Sequence, residues 1–127
     1  MDGERGIRGQ SLVEFALTLS LLMLIFFGVF DLGRAFHAYI VITNAAREGA
    51  YYGAMHPSDS SGIVARVISE AQGSGIALSA ANVSVSSSSI SGTPICVTVS
   101  YDFTLLSAFL LGGRTIRLQS CAEMVVY

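Results

Sequence analysis

Polar and apolar positions along this chain fall into three successive patterns. The first is a near-continuous apolar run: between Glu14 and Asp31 no residue is charged, and Leu, Ile, Phe, Val and Met fill most positions. At about 1.5 Å per residue that run makes roughly 24 Å of helix, short of the roughly 30 Å hydrocarbon core of a bilayer unless its ends contribute. Leu12 and Val13 extend it on one side, and Leu32, Ala35 and Phe36 on the other. The pattern predicts one membrane-spanning helix that continues out of the bilayer as an amphipathic stem.

His56-Pro57 and the following SDSSG stop that helix, because proline restricts the residue before it and Ser, Asp and Gly favour turns. The second pattern follows: Ile63, Val64, Val67, Ile68 and Ala71 recur at helical spacing, predicting a short amphipathic helix closed by Gly73. From Ala80 the period becomes two. Val83 and Val85 open a short strand, the serine-rich run 86–91 with Gly92-Thr93-Pro94 reads as an exposed loop, and Ile95 to Phe103 alternate as a half-buried strand. Leu105 to Leu111 is a short apolar segment of one or two helical turns before Gly112-Gly113. The last strand sets Ile116, Leu118, Ala122, Met124 and Val126 against Arg117, Gln119, Cys121 and Glu123. Three strands with one apolar face need a cover, and the stem supplies it. The expected fold is α+β, a long N-terminal membrane-spanning helix packed on a small antiparallel sheet. The expected organisation is a leader at 1–9, a transmembrane helix and stem at 10–55, and a small α/β head at 56–127.

Composition agrees with this. Over 127 residues, 52% are hydrophobic and 13% charged, too apolar for an ordinary soluble domain. The net charge of -2 and the absence of lysine argue against a nucleic-acid partner. Residues 1–9 look like the n-region of a targeting segment, with Arg5 and Arg8 just before the apolar run. Removal by an ordinary signal peptidase needs small residues at the far end, where the chain instead reads FDLGRAFHA. Arg34 and Arg47 on that side match Arg5 and Arg8, so the positive-inside rule leaves orientation tied.

Glu14 needs a partner, since an acidic group costs roughly 2.5 to 3.5 kcal/mol at mid-bilayer, though less near the interface. One reading makes it a first-turn carboxylate in the headgroup layer, favoured by the helix dipole. The other notes that cleavage after Gly9 would put a new amine on Gln10, at i to i+4 from Glu14, so one copy's amine could neutralise another's carboxylate. Farther along, Asp31 and Arg34 are spaced to pair where the helix leaves the lipid. Ala45, Gly49 and Gly53 line one small-residue stripe, with Ala46, Ala50 and Ala54 beside it. Small residues at four-residue spacing admit a close backbone, either the chain's own head or a neighbouring helix, with the head expected to take part of the stripe. Tyr39, Tyr51 and Tyr52 read as interface or core residues.

Gly9 followed by Gln10-Ser11-Leu12-Val13, then Glu14-Phe15 and a long apolar helix, resembles the prepilin-peptidase motif of type IV pilins. Gly3 and Gly6 do not fit it, because the fifth residues after them are Arg8 and Ser11. The continuation VEFAL, then FGVFDLGRA with Gly28 and Gly33, then NAAREGA resembles the TadE-like pseudopilins of the tight-adherence pilus machinery. Ser20 stands where such relatives often have proline, so no kink is expected there. The resemblance implies a minor pseudopilin-like structural subunit cut after Gly9. Its partners would be the prepilin peptidase, other pilin or pseudopilin subunits and the assembly platform, and Gly28 and Gly33 would join Ala45, Gly49 and Gly53 in helix packing. The alternative is an uncleaved single-pass membrane protein whose head is an envelope binding module.

Cys96 and Cys121 fall on the polar faces of strands expected to be neighbours, which suggests a cross-strand disulfide; two free thiols remain the other reading. A disulfide needs an oxidising space, which would put the head outside the cytoplasm and the N-terminus inside. No metal or cofactor is expected, since no CxxC or Cys/His cluster occurs. Nor is an enzyme: His37 and His56 have no nucleophile or acidic group at triad spacing, and no glycine-rich phosphate loop is present.

Overall fold

A computed structural model of the chain describes residues 3–86, 90 and 92–127, with side chains described from Arg8 onward except at 110–111. Helix α1 runs unbroken over Gly3–Met55, 53 residues or about 80 Å at about 1.5 Å per residue. The helix continues through Ser20, whose hydroxyl donates to the Ala16 carbonyl at 2.8 Å. It also continues through Gly9-Gln10 without a break.

Helix α2, Ser60–Gly73, folds back along the stem. Asp59 caps it and also ties it to α1. Its carboxylate accepts from the Gly62 amide and the Ser61 hydroxyl, each at 3.0 Å, and from the Tyr52 hydroxyl of α1 at 3.0 Å. The Gly62 amide, the Tyr52 hydroxyl and the Ser61 hydroxyl together hold the Asp59 carboxyl below its ordinary range. The sequence pattern placed this stretch among turn residues and did not distinguish the cap within it. Glu48 and Arg66 add an exposed ion pair at 3.0 Å between the two helices.

A short 3-10 turn, Ala80–Asn82, leads into β1 (Val83–Ser86), β2 (Pro94–Thr104), the single turn α3 (Ala108–Leu111) and β3 (Thr115–Val125). The sheet is an antiparallel meander in the order β1-β2-β3, the α+β arrangement expected. Of the expected serine-rich loop, residues 87–89 and 91 lie outside the described residues.

The core is built where α1, α2 and the sheet meet. Ile42, Ala45, Ala46 and Ala50 of α1 are buried against Ile63 and Val67 of α2 and Ile95, Val97 and Val99 of β2. Of the small residues, Gly49 and Gly53 are there because nothing larger fits. A Cβ on Gly49 would fall against a methyl of Val67 and 3.3 Å from Val97, and one on Gly53 would lie 2.5 Å from the end of Ile95. Gly28 and Gly33 differ, since a Cβ on either would meet nothing within 4 Å.

This contrast yields a test. Each glycine-to-alanine change gives the helix about the same backbone gain, up to about 1 kcal/mol. Gly33→Ala should therefore leave the stability of the detergent-solubilised protein unchanged or raised. Gly49→Ala should lower it by about 1–3 kcal/mol, because a β-branched valine with few rotamers cannot move aside. Denaturant midpoints measure both; a Gly49→Ala protein as stable as Gly33→Ala would refute the packing.

Candidate functional site: a helix divided between two surroundings

Every described side chain from Arg8 to Phe30 is exposed, including Phe15, Leu17, Leu22, Ile25, Phe26 and Val29. This segment contains a window long and apolar enough to cross a membrane, and none of that window is buried in the protein. The head starts to cover α1 at Asp31.

Asp31 is 2% exposed and marks this border. Its carboxylate accepts the backbone N–H groups of Leu106 at 2.9 Å and Ser107 at 2.7 Å, from the connection between β2 and β3. The Arg34 guanidinium approaches it at 3.4 Å and also lies 5.0 Å from the centre of the Phe103 ring. The expected Asp31–Arg34 pair is therefore present at long range, but the two short bonds to amides dominate. Sequence reasoning missed this role, because the partners lie 75 and 76 residues away. One signal was available: an acid directly after an apolar run, on a helix that goes on to carry a small-residue stripe, has to be satisfied by something.

Above Asp31 the buried face of α1 continues through Ala38, Val41, Ile42, Ala45, Ala46, Gly49, Ala50, Gly53 and Ala54. Thr43 reaches from it to the buried Ser120 of β3, hydroxyl to hydroxyl at 3.0 Å. At the border, an open groove of about 590 Å³ lies between the helix and the near end of the sheet, lined by Val29, Phe30, Arg34, His37, Tyr101 and Phe103 among others. His37 is exposed along it. His56, at the far end of the helix, stacks on Tyr52 at 4.7 Å, so the two histidines belong to opposite ends of the stem.

At the other end of α1, Gly9, Gln10, Val13, Glu14 and Leu17 share one exposed patch. The Thr18 hydroxyl donates to the backbone carbonyl of Glu14 at 2.8 Å, which leaves the carboxylate free. Among the described residues it has no partner within the chain.

A family profile describing TadE-like proteins matches residues 9–50. Over that segment, about a third of its length, the chain is similar to TadE-like proteins. The match opens at Gly9, crosses the exposed apolar run and ends at Ala50, inside the buried stripe. It thus covers the junction at Asp31 but none of the residues of α2 or the sheet. No curated protein and no solved structure matches the chain.

Cys96 and Cys121 are joined by a disulfide between β2 and β3, with Cα atoms 6.5 Å apart. They are diagonal neighbours, since Cys96 faces Glu123 and Cys121 faces Thr98 in the register. At a sequence separation of 25, the link restrains the unfolded chain by roughly 3 kcal/mol. The Glu123 carboxylate lies close to both sulfurs, but bonded cysteines are not metal ligands.

Asp31→Ala removes the acceptor from two amides. The expected cost is about 1.5–3 kcal/mol, against less than about 1 kcal/mol for Arg34→Ala, whose partner keeps its backbone donors. Hydrogen exchange at the Leu106 and Ser107 amides provides the local readout. It should rise strongly in Asp31→Ala and little in Arg34→Ala, and equal effects would show that the ion pair, not the amide cradle, holds the connection.

Proposed function

We propose that this chain is a minor pseudopilin-like structural subunit of a tight-adherence pilus or related secretion machine. In this reading it is stored as a single-pass membrane protein and used through its N-terminal helix. The family match at residues 9–50 supports a part in tight-adherence pilus assembly. The observation that supports the finer reading is the unshared half of α1: residues 8–30 are exposed, with an uncharged and largely apolar run at 15–30, while one face of Asp31–Ala54 is covered by the head. Such a segment needs another apolar environment, which lipid supplies before assembly and a bundle of like helices supplies after it.

Glu14 gives that exchange its specificity. In the proposed sequence, the prepilin peptidase cuts between Gly9 and Gln10 on the cytoplasmic side and frees the Gln10 amine. The Glu14 carboxylate, which has no partner among the described residues, then pairs with a neighbour's amine as the helix enters the bundle. Desolvation makes the pair discriminating, because an unpaired acid in an apolar bundle is strongly disfavoured. The Cys96–Cys121 link supports placing the head in an oxidising, extracytoplasmic space.

Terminal mass analysis of the protein from cells holding the peptidase tests the first step. A chain beginning at Gln10 is expected, and an intact Met1 in working protein would favour the uncleaved membrane-anchored binding module. Glu14→Ala should still be cut yet enter filaments at least roughly tenfold less well, as loss of a charge pair worth more than about 1.4 kcal/mol requires. Normal incorporation would contradict the pairing.

A further inference from the structure

Resting on the membrane reading above, we propose that the connection between β2 and β3 is a second membrane contact. Its tip, centred on Phe109, enters the boundary between headgroups and acyl chains beside α1.

Three observations meet there. The first is position: Asp31 holds Leu106 and Ser107 by their amides at the level where the exposed apolar run of α1 ends. The strands on either side run along the stem away from this point, so the connection is the end of the sheet nearest the run. The distal end is marked by Tyr127, whose amide donates to the Ala54 carbonyl.

The second is chemistry. The connection reads LLSAFLLGGR, and its only polar side chain before the glycines is Ser107, whose amide Asp31 already holds. Phe109 is 95% exposed and Leu106 51%, and Ile116 at the start of β3 is 46% exposed. A phenylalanine so fully presented at the tip of a sheet does not serve the core. An apolar tip continuous with a lipid-facing helix gains by sharing the helix's surroundings.

The third is shape. Gly112 and Gly113 adopt left-handed backbone angles, φ 92° and 72°, which reverse the chain sharply after a single helical turn. The exposed Arg114 follows at once, so the apolar tip is bounded by a cation able to reach phosphate headgroups. The tip would fix the tilt and rotation of the head relative to the membrane. Leaving the bilayer would then require withdrawing Phe109 as well as the helix.

The chain has no tryptophan, so single substitutions report their own surroundings. Phe109→Trp, Phe26→Trp and Tyr127→Trp, all at exposed sites, are reconstituted in phosphatidylcholine vesicles with or without brominated acyl chains, and iodide is added from the aqueous side. Bromination should lower the emission of Phe26→Trp and of Phe109→Trp by roughly twofold or more, as burial at the acyl boundary implies, and leave Tyr127→Trp unchanged. Iodide should quench Tyr127→Trp alone.

If Phe26→Trp responds to bromination and Phe109→Trp responds only to iodide, the tip contact is wrong while the spanning helix stands. If Phe26→Trp fails to respond, the membrane reading fails and the tip contact falls with it. A Phe109→Trp emission shifted to the blue but insensitive to bromination, and growing with protein-to-lipid ratio, would overturn the proposal in favour of a second copy covering the tip. Equal bromine quenching of Tyr127→Trp would mean the whole head lies on lipid and would overturn it too.

Discussion

The head can grip α1 only where the helix is narrow. Ala45, Ala46 and Ala50 let the sheet and α2 close in, and Gly49 and Gly53 sit where even one more carbon would press on Val67 or Ile95. Below Asp31 the helix becomes wide with Leu, Phe and Ile, and the head leaves it alone. The change from small to large side chains along one continuous helix thus divides the molecule between a part that folds and a part that must be received elsewhere.

Asp31 stands at that division and closes it. The connection between β2 and β3 arrives with two backbone N–H groups that the sheet does not use, and a buried carboxylate satisfies both. An unpaired buried amide or carboxylate would each cost free energy, so the two needs answer each other. The same contact holds an apolar tip beside the apolar helix. Glu14 stands at the other end of the exposed run, and among the described residues its carboxylate has no partner. One carboxylate is satisfied by folding, and the other is the one proposed above to pair during assembly.

Much of this was legible in the residues. The apolar run, the small-residue stripe, the alternation from Ile95 to Phe103 and the family resemblance around Gly9, Glu14 and Asn44 to Ala50 pointed to the long helix on an antiparallel sheet. Periodicity reports which face is buried, and these elements are periodic. What it did not reveal were contacts made by single residues across long separations. Asp31 reads as an ion-pair partner of Arg34 because that is its local neighbour, whereas its stronger partners come from the connection far along the chain. Asp59 reads as a turn residue, and its bond to Tyr52 depends on how α2 folds back on the stem. Gly28, Gly33, Gly49 and Gly53 look alike in sequence. Only the packing of Val67 and Ile95 separates the second pair, required by the head, from the first, where an added Cβ would meet nothing within 4 Å.

The central claim is that α1 passes from lipid to protein cover at Asp31. Labelling single cysteines along positions 22–46 with a membrane-impermeant maleimide, in vesicles with the head facing outward, tests it most directly. Three zones are expected: Leu22, Ile25, Phe26 and Val29 unreactive; Tyr39 and Ile40 reactive; and Ile42 and Ala45 unreactive until the head is denatured. Ready labelling at Phe26 or Val29 in intact vesicles, or at Ala45 in the folded head, would contradict it.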